Sequence, residues 1–220
     1  MKNTIITIDG PSGAGKSTIA RIVADKLGYT FLDTGALYRA SALAVDRLGA
    51  DIDDDTVCGQ IVSESIIDLS HDRVYLNSED VSEAIRTPHI SALSSRIAVL
   101  PSVRTRLLKL QRDFVQKTSL VAEGRDTGSV IFPEADVKIF LDATSQARAQ
   151  RRFLELKAKG AAATYAQVLK AIEERDQRDR ERSYAPLVIP DHAIVVDTTH
   201  LTLDEVVEKV MRIIRERLSD

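Results

Sequence analysis

Near its N-terminus the chain reads Ile5-Ile-Thr-Ile-Asp-Gly-Pro-Ser-Gly-Ala-Gly-Lys-Ser17. The isoleucines form a short, almost continuously apolar run, which is typical of a strand buried on both faces of a parallel sheet. Residues 10–17 match the pattern G-x-x-x-x-G-K-[ST] at every fixed position, and residues 16–27 read as a helix that stops at Gly28. A strand, a glycine loop and a helix in this order predict a loop that binds the phosphates of a nucleotide.

The residue types of this loop suit a polyphosphate. Glycines let several backbone N–H groups point inward, and the helix N-terminus adds the positive end of a dipole. Lys16 can reach the β- and γ-phosphates, and the Ser17 hydroxyl can ligate Mg²⁺, so Lys16 is a candidate catalytic residue and Mg²⁺ the predicted cofactor. The predicted ATP-binding residues of the loop are Gly10, Pro11, Ser12, Gly13, Ala14, Gly15, Lys16, Ser17 and Thr18.

Strands and helices alternate along the rest of the chain, which predicts an α/β domain over residues 1–220. Buried strands are expected at 29–33, 120–123, 137–141 and 193–196, and helices at 34–48, 101–115, 145–159, 165–182 and 203–217. With the first strand, this gives a five-stranded parallel sheet flanked by helices. Residues 51–96 break the rhythm, with a helix at 56–66 and strands at 67–69 and 74–76, and therefore read as an inserted subdomain.

Composition limits the classes of function. The 220 residues are 44% hydrophobic and 29% charged, with a net charge of −3. This charge argues against a partner that is a nucleic acid polymer, because such binders carry a basic excess. No apolar stretch approaches the roughly 20 residues of a membrane helix. We therefore expect a cytoplasmic enzyme with no membrane association.

The choice of nucleotide follows from a missing motif. A guanine-reading N-K-x-D motif would need an asparagine followed by lysine, and neither Asn3 nor Asn77 fulfils this. ATP is therefore the expected phosphate donor. A small-molecule kinase and an ATPase that drives motion or assembly both use such a loop, and the short chain without repeats favours the kinase.

The helix predicted at 165–182 has an apolar stripe that becomes charged. The stripe runs through Tyr165, Val168 or Leu169, and Ile172, and continues at the same spacing as Arg175, Asp179 and Arg182. Two readings stay open: the charged part faces a phosphate-bearing cleft, or it is a solvated helix end. Four neighbours are expected to be ordinary surface residues, namely Glu173, Glu174, Asp176 and Arg178.

Two further charged clusters follow predicted strands, at the sheet edge where α/β proteins bind ligands. Arg125 and Asp126 follow the strand at 120–123, and the segment from Thr34 to Arg39 follows the strand at 29–33. The alternatives are a charged turn for the first cluster, and for the second an N-cap at Thr34 and a surface role for Arg39. Asp33 and Glu123 are candidates by position for a carboxylate near Mg²⁺.

Together these segments resemble the bacterial cytidylate kinases across nearly the whole chain. Beyond the glycine loop, the resemblance rests on Asp33-Thr-Gly-Ala-Leu-Tyr-Arg39, Asp80-Val-Ser-Glu-Ala-Ile-Arg86, Glu123-Gly-Arg-Asp-Thr-Gly-Ser-Val-Ile-Phe-Pro133, Val137-Lys-Ile-Phe-Leu-Asp142, Glu174-Arg-Asp-Gln-Arg-Asp-Arg180 and Ala185-Pro-Leu187. It implies the P-loop kinase fold with an inserted NMP-binding part at about 34–100, a lid at about 151–164, and a monomer. Two features depart from the family: serine is usual where Thr34 stands, and the insert at 66–81 is shorter than in longer members.

The resemblance also implies an activity and residue roles. The chain would transfer the γ-phosphoryl group of ATP to CMP or dCMP, with Arg125 and Arg182 joining Lys16 as catalytic residues. Arg148 and Arg151 would approach the ATP phosphates. The implied CMP-binding residues are Thr34, Arg39, Arg125 and Arg182 at the phosphate, Ser95, Arg104 and Asp126 at cytosine, and Arg175 and Asp179 at the ribose.

The base assignment agrees with the chemistry of cytosine. Asp126 can accept a hydrogen bond from the N4 amine, while uracil would present an acceptor there. Two rivals remain: a P-loop kinase for another acceptor, such as UMP, AMP or a non-nucleotide metabolite, and a regulatory ATP-binding protein without small-molecule transfer.

Overall fold

The computed structural model describes residues 3–70, 73–158, 160–182 and 184–219. The chain forms two compact units, the first made of Met1–Phe31 and Thr118–Asp220 and the second of Leu32–Lys117. Residues 71–72 of the predicted insert and Lys159 of the predicted lid lie outside the described residues.

The first unit is organised around a five-stranded sheet, as predicted. Its strands are β1 (Ile5–Asp9), β2 (Thr30–Asp33), β6 (Leu120–Gly124), β7 (Val137–Asp142) and β8 (Ile194–Asp197), and their spatial order is β2-β6-β1-β7-β8. Of β2, only Thr30 and Phe31 belong to the first unit. The central strand β1 pairs in parallel with β6 and with β7. All five residues of β1 are buried, which explains its continuous apolar pattern.

Helices α1 (Lys16–Leu27) and α8 (Leu203–Ser219) pack on this sheet and complete its apolar core. Helices α6 (Ser145–Ala158) and α7 (Tyr165–Glu181) pack on each other around a second, smaller apolar cluster. Ile8, Val23, Leu141 and Ile214 belong to one buried cluster, so α1 and α8 bury their apolar faces against the strands. The predicted ends of these helices agree with the structure within two residues.

The second unit contains the predicted insert. Its elements are α2 (Thr34–Arg47), α3 (Asp55–Glu64), the antiparallel strands β3 (Ile67–Ser70), β4 (Arg73–Leu76) and β5 (Glu79–Asp80), and the helices α4 (Pro88–Ile97) and α5 (Pro101–Val115). Helix α2 packs on α4, and α3 packs on α5. The first residues of α2 are held by Asp33, whose carboxylate accepts a hydrogen bond from the Ala36 N–H at 2.8 Å.

The structure departs from the sequence analysis at the start of two helices, each time for a local reason. Asp33 and not Thr34 is the N-cap of α2, because the carboxylate one residue earlier already satisfies a free N–H group of the first turn. Helix α4 was missed because three serines weaken its helical pattern. Its start is nevertheless encoded by Pro88 in the first turn and by Thr87, whose hydroxyl accepts from the Ile90 N–H at 3.2 Å.

The glycine at position 10 is required where β1 enters the loop. Its φ of +147° is a conformation that side chains rarely adopt, and a Cβ built there would lie 2.0 Å from the carbonyl oxygen of Leu141 on β7. The loop backbone therefore approaches the neighbouring strand more closely than any other residue type allows.

We expect Gly10→Ala to destabilise the protein more than Gly28→Ala. Gly28 has a φ of +67° but open space around it, so its replacement should cost only about 1–2 kcal/mol of backbone strain. The Gly10 variant adds a clash with backbone that cannot move aside. Urea denaturation of both variants measures the difference, and an equal loss of unfolding free energy would contradict this account.

Candidate active site

The glycine loop and the start of α1 form an anion-binding framework in the first unit. Gly15 precedes α1 in the left-handed conformation, with φ 89°, and supplies no side-chain cap. The first-turn N–H groups of α1 are thus left for another acceptor, and an anion is the acceptor that a helix N-terminus favours.

Lys16 is buried within this loop. Its ammonium group donates a hydrogen bond to the carbonyl oxygen of Pro11 at 2.8 Å. Burial, and next the nearby positive charge of Arg125, lower the pKa of Lys16 to about 7, while Glu123 acts in the opposite direction. Arg175 contributes to the same lowering, so both arginines lie within electrostatic range of Lys16.

Ser17 and Glu123 form an oxygen pair beside Lys16. The Ser17 hydroxyl donates to the Glu123 carboxylate at 2.7 Å, and Glu123 is buried near the end of β6. Hydroxyl and carboxylate oxygens are ligands that Mg²⁺ prefers. The residues present therefore fit Mg²⁺, and of the two carboxylates considered from the sequence Glu123 is the one hydrogen-bonded to Ser17.

The end of β6 is joined to α7 by an ion pair. Arg125 donates through Nε to Asp179 at 2.9 Å. Burial by itself would lower the pKa of Arg125, but Asp179 and Glu123 outweigh it and raise that pKa. Burial would likewise raise the pKa of Asp179, yet Arg125 and Arg175 hold it below its usual value. Both groups stay charged, so the predicted phosphate-binding and ribose-binding residues meet here.

Asp126 and Arg182 form a second buried pair in the same unit. The Arg182 guanidinium lies 3.5 Å from an Asp126 carboxylate oxygen, and its Nε donates to the carbonyl oxygen of Ala185. The charged stripe of α7 therefore does not continue into solvent. Of its three predicted members, Asp179 is buried and Arg175 and Arg182 are half-buried.

Asp9 is a functional candidate that the sequence reading missed. Its fully buried carboxylate accepts from the Thr127 N–H at 2.8 Å, the Thr127 hydroxyl at 2.7 Å and the Gly128 N–H at 2.7 Å. These bonds fix the start of the single π-helical turn Thr127–Ile131, directly after Asp126. An acid at the end of an apolar strand was the available signal. Burial raises the pKa of Asp9.

Asp176 corrects the prediction of an ordinary surface residue. It is 4% exposed and lies 2.6 Å from the Arg148 guanidinium. It follows Ile172 by four residues, so the helical stripe itself could have identified it. Glu173, Glu174 and Arg178 are exposed as expected.

The two arginines predicted to approach ATP both contact protein groups. Arg148 donates to the carbonyl oxygens of Ser12 at 2.8 Å and Ala143 at 2.9 Å. Arg151 donates to the Thr198 hydroxyl at 3.0 Å and to the Thr198 carbonyl oxygen. A direct contact of either arginine with ATP stays a prediction.

A cleft of about 690 Å³ lies in the first unit, where β7 and β8 end. Its lining includes Asp142, Arg148, Asp176, Asp197 and Thr199. This volume is in the usual range for small-molecule sites, and the carboxyl ends of parallel strands are where such sites form.

The second unit holds the other predicted substrate residues. Asp33 caps α2 and also forms an ion pair with Arg39, whose Nη2 lies 2.9 Å from Asp33 Oδ2. The neighbouring Thr34 is buried. The surface reading of Arg39 is therefore incomplete, because its guanidinium folds back on the helix start.

Ser95 and Arg104 lie on α4 and α5 of this unit. Arg104 is buried and donates a hydrogen bond to the carbonyl oxygen of Ala98 at 3.0 Å. The central carbon of its guanidinium lies 5.8 Å from the centre of the Tyr38 ring. Ser95 makes a long hydrogen bond of 3.4 Å to the carbonyl oxygen of Ser91. The buried arginine is thus kept in place by a backbone group and an aromatic face.

None of the helices in the described part of the chain combines the length and apolar character that crossing a membrane demands.

Comparison with known proteins matches the whole chain to one family. The family model for cytidylate kinase matches residues 6–216. Cytidylate kinases from Geobacter sulfurreducens and Syntrophotalea carbinolica are 45% and 46% identical to this chain, each alignment covering 98% of this chain and 94% of the relative. An uncharacterized protein from Eubacterium ventriosum has a similar fold, with a TM-score of 0.52 at 12% identity, over 96% of this chain and 97% of that one. The chain belongs to the cytidylate kinase family.

Proposed function

We propose that this chain transfers the γ-phosphoryl group of ATP to CMP or dCMP, giving ADP and CDP or dCDP. One observation carries the proposal: Lys16 is buried beside the glycine loop within electrostatic range of Arg125 and Arg175. Positive charge gathered next to a phosphate-binding loop suits two phosphate groups that must approach each other. The relatives named cytidylate kinase support CMP as the acceptor.

The proposed donor site is the loop from Gly10 to Thr18. Its backbone N–H groups bind the phosphates, and Lys16 neutralises the transferring group. Ser17 and Glu123 would hold Mg²⁺, whose charge neutralises phosphate oxygens when it is bound. Arg148 and Arg151 are proposed at the ATP side, and we assign the donor nucleoside to the cleft at the ends of β7 and β8.

The proposed acceptor residues are those implied by the family to which the chain belongs. Arg39, Arg125, Arg182 and Thr34 bind the CMP phosphate, and Arg175 and Asp179 bind the ribose. Ser95, Arg104 and Asp126 read cytosine. We assign residues 34–100 as the NMP-binding part and residues 151–164 as the lid.

The proposed reaction needs no general base. A CMP phosphate oxygen is already an anion, so it attacks the γ-phosphorus of ATP in line while the bond to the β-phosphate oxygen breaks and ADP leaves. Lys16, Arg125 and Arg182 stabilise the negative charge during this transfer. The remaining contribution is positioning of the two substrates.

A panel of acceptors tests the proposed function against its rivals. ATP and Mg²⁺ are supplied with CMP, dCMP, UMP, AMP and no acceptor, and ADP formation is followed. We expect CMP and dCMP to give the fastest turnover. A better acceptor in the panel would replace the proposed substrate, and hydrolysis independent of any acceptor would indicate a regulatory ATPase. Cytoplasmic location and a monomeric state stay predictions.

Replacing Lys16 with alanine should reduce kcat by about 10²–10³-fold, the usual effect of losing one preorganised donor at a developing charge. Lys26→Ala serves as the matched control, because Lys26 is exposed at the other end of α1. Steady-state kinetics with saturating ATP and CMP measure the effect. Near-normal turnover of the Lys16 variant would remove its catalytic assignment.

Asp126→Asn should reduce the preference for CMP over UMP. A carboxylate can only accept a hydrogen bond from the cytosine amine, whereas an amide can also donate to uracil O4. Loss of one matched, buried hydrogen bond costs about 1–3 kcal/mol, which corresponds to a change of roughly 5–150-fold in the ratio of the kcat/KM values for CMP and UMP. Exposed Glu134→Gln is the control. An unchanged ratio with Asp126→Asn would refute the base-reading assignment.

Binding of ADP at pH 8 should take up about one proton per site, because bound phosphates favour the charged form of Lys16. The pKa of Lys16 is lowered from 10.5 to about 7, so most of this group is neutral at pH 8 before binding. Affinity should accordingly fall as the pH rises above 7. Calorimetry in two buffers of different ionisation enthalpy measures the uptake, which Lys16→Met should abolish. Absence of uptake by the natural sequence would contradict the prediction.

A further inference from the structure

Arg148 connects three parts of the first unit. Its Nε donates to the Ala143 carbonyl oxygen at 2.9 Å, its Nη1 to the Ser12 carbonyl oxygen at 2.8 Å, and its Nη2 lies 2.6 Å from an Asp176 carboxylate oxygen. The residue is 3% exposed. Every nitrogen of the planar guanidinium thus has a partner, which fixes the group in one orientation.

The contact with Ser12 acts on the phosphate loop itself. A trans peptide group is planar, so its C=O and the following N–H point in opposite directions. By holding the Ser12 carbonyl, Arg148 therefore directs the Gly13 N–H away from itself. The backbone at Gly13 also packs directly on α6, because a Cβ there would lie 3.1 Å from the Arg148 Cβ. The loop and α6 consequently share one fixed geometry at this point.

Asp176 supplies the charge that keeps Arg148 buried. Without this carboxylate the guanidinium would either remain in the interior with no opposite charge, which is strongly unfavourable, or move outward. Either outcome would release the Ser12 carbonyl. Asp176 does not belong to the loop, so its effect on the loop must pass through Arg148.

We propose that Asp176 is a positioning residue for ATP binding: through Arg148 it fixes the Ser12 peptide and hence a phosphate-binding N–H of the glycine loop. The inference rests on the proposed ATP-dependent function. It adds to that function a residue on α7 that lines the cleft assigned to the donor nucleoside and is linked to the loop through Arg148.

A neighbouring ion pair makes the proposal testable against a merely structural role. Asp179, one turn along α7, pairs with Arg125 at 2.9 Å and belongs to the proposed CMP site. A general displacement of α7 would disturb both substrates. Loss of the Asp176 contact alone should affect ATP and ADP and spare CMP.

The experiment compares Asp176→Asn, Arg148→Lys and their double variant, with Glu174→Gln as the control because Glu174 is exposed on the same helix. Binding of ADP is measured by calorimetry, and KM is measured separately for ATP and CMP. We expect Asp176→Asn to weaken ADP binding and raise the KM for ATP by about tenfold, the size of coupling seen between contacting side chains. The KM for CMP should change less than about twofold.

The remaining outcomes separate the possible failures. If Asp176 and Arg148 act as one unit, the double variant should bind ADP about as tightly as the more impaired of the two single variants. Three results overturn the proposal: unchanged ADP affinity in folded Asp176→Asn, equal increases in both KM values, or fully additive losses in the double variant, which would indicate that Asp176 contacts the donor directly. If Asp176→Asn does not fold, Asp176→Glu, which keeps the charge but displaces the carboxylate from Arg148, decides by the same criteria. Failure of the natural sequence to bind ADP would instead refute the proposed function.

Discussion

The first unit depends on one electrostatic constraint: cationic side chains buried at the ends of parallel strands must be matched by carboxylates. Arg125 is matched by Asp179, Arg148 by Asp176 and Arg182 by Asp126. Each pair joins α7, or the segment directly after it, to another part of the unit. Since removing one partner of a buried pair leaves an uncompensated charge, these matches fix where α7 lies.

Backbone geometry imposes a second constraint, at the glycine loop. Gly10 brings the chain so close to β7 that any Cβ at this position would overlap the carbonyl oxygen of Leu141, and Gly15 leaves the start of α1 without a side-chain cap. The missing cap leaves the first-turn N–H groups of α1 available to an anion. At the end of β1, the Asp9 carboxylate accepts hydrogen bonds from the backbone N–H groups of Thr127 and Gly128 and so fixes the turn that follows Asp126. The glycine loop and the position of Asp126 are thus linked through β1.

Much of the fold could be predicted because its signals are local. The continuous apolar run of β1, the loop pattern and the stop at Gly28 each depend on residues close in sequence, and all are confirmed. Helix α4 was missed since its serines resemble a loop, although Thr87 and Pro88 encode its start. The cap of α2 was misplaced by one residue, because sequence alone does not show which of two adjacent oxygen-bearing side chains meets the free N–H group.

The sequence by itself determined the class of protein, the phosphate loop and the positions of the arginines, because spacing along a strand or helix specifies which residues share a face. Only the tertiary structure decided the partners of those arginines. Asp176 lies 28 residues from Arg148 in the sequence, and Glu123 lies 106 residues from Ser17. The pairing of β6 with β1 brings Glu123 close to Ser17. When the cationic partner of a carboxylate is distant in the chain, the sequence predicts a solvated surface carboxylate. The carboxylate becomes a buried counter-charge only when folding brings the two residues together.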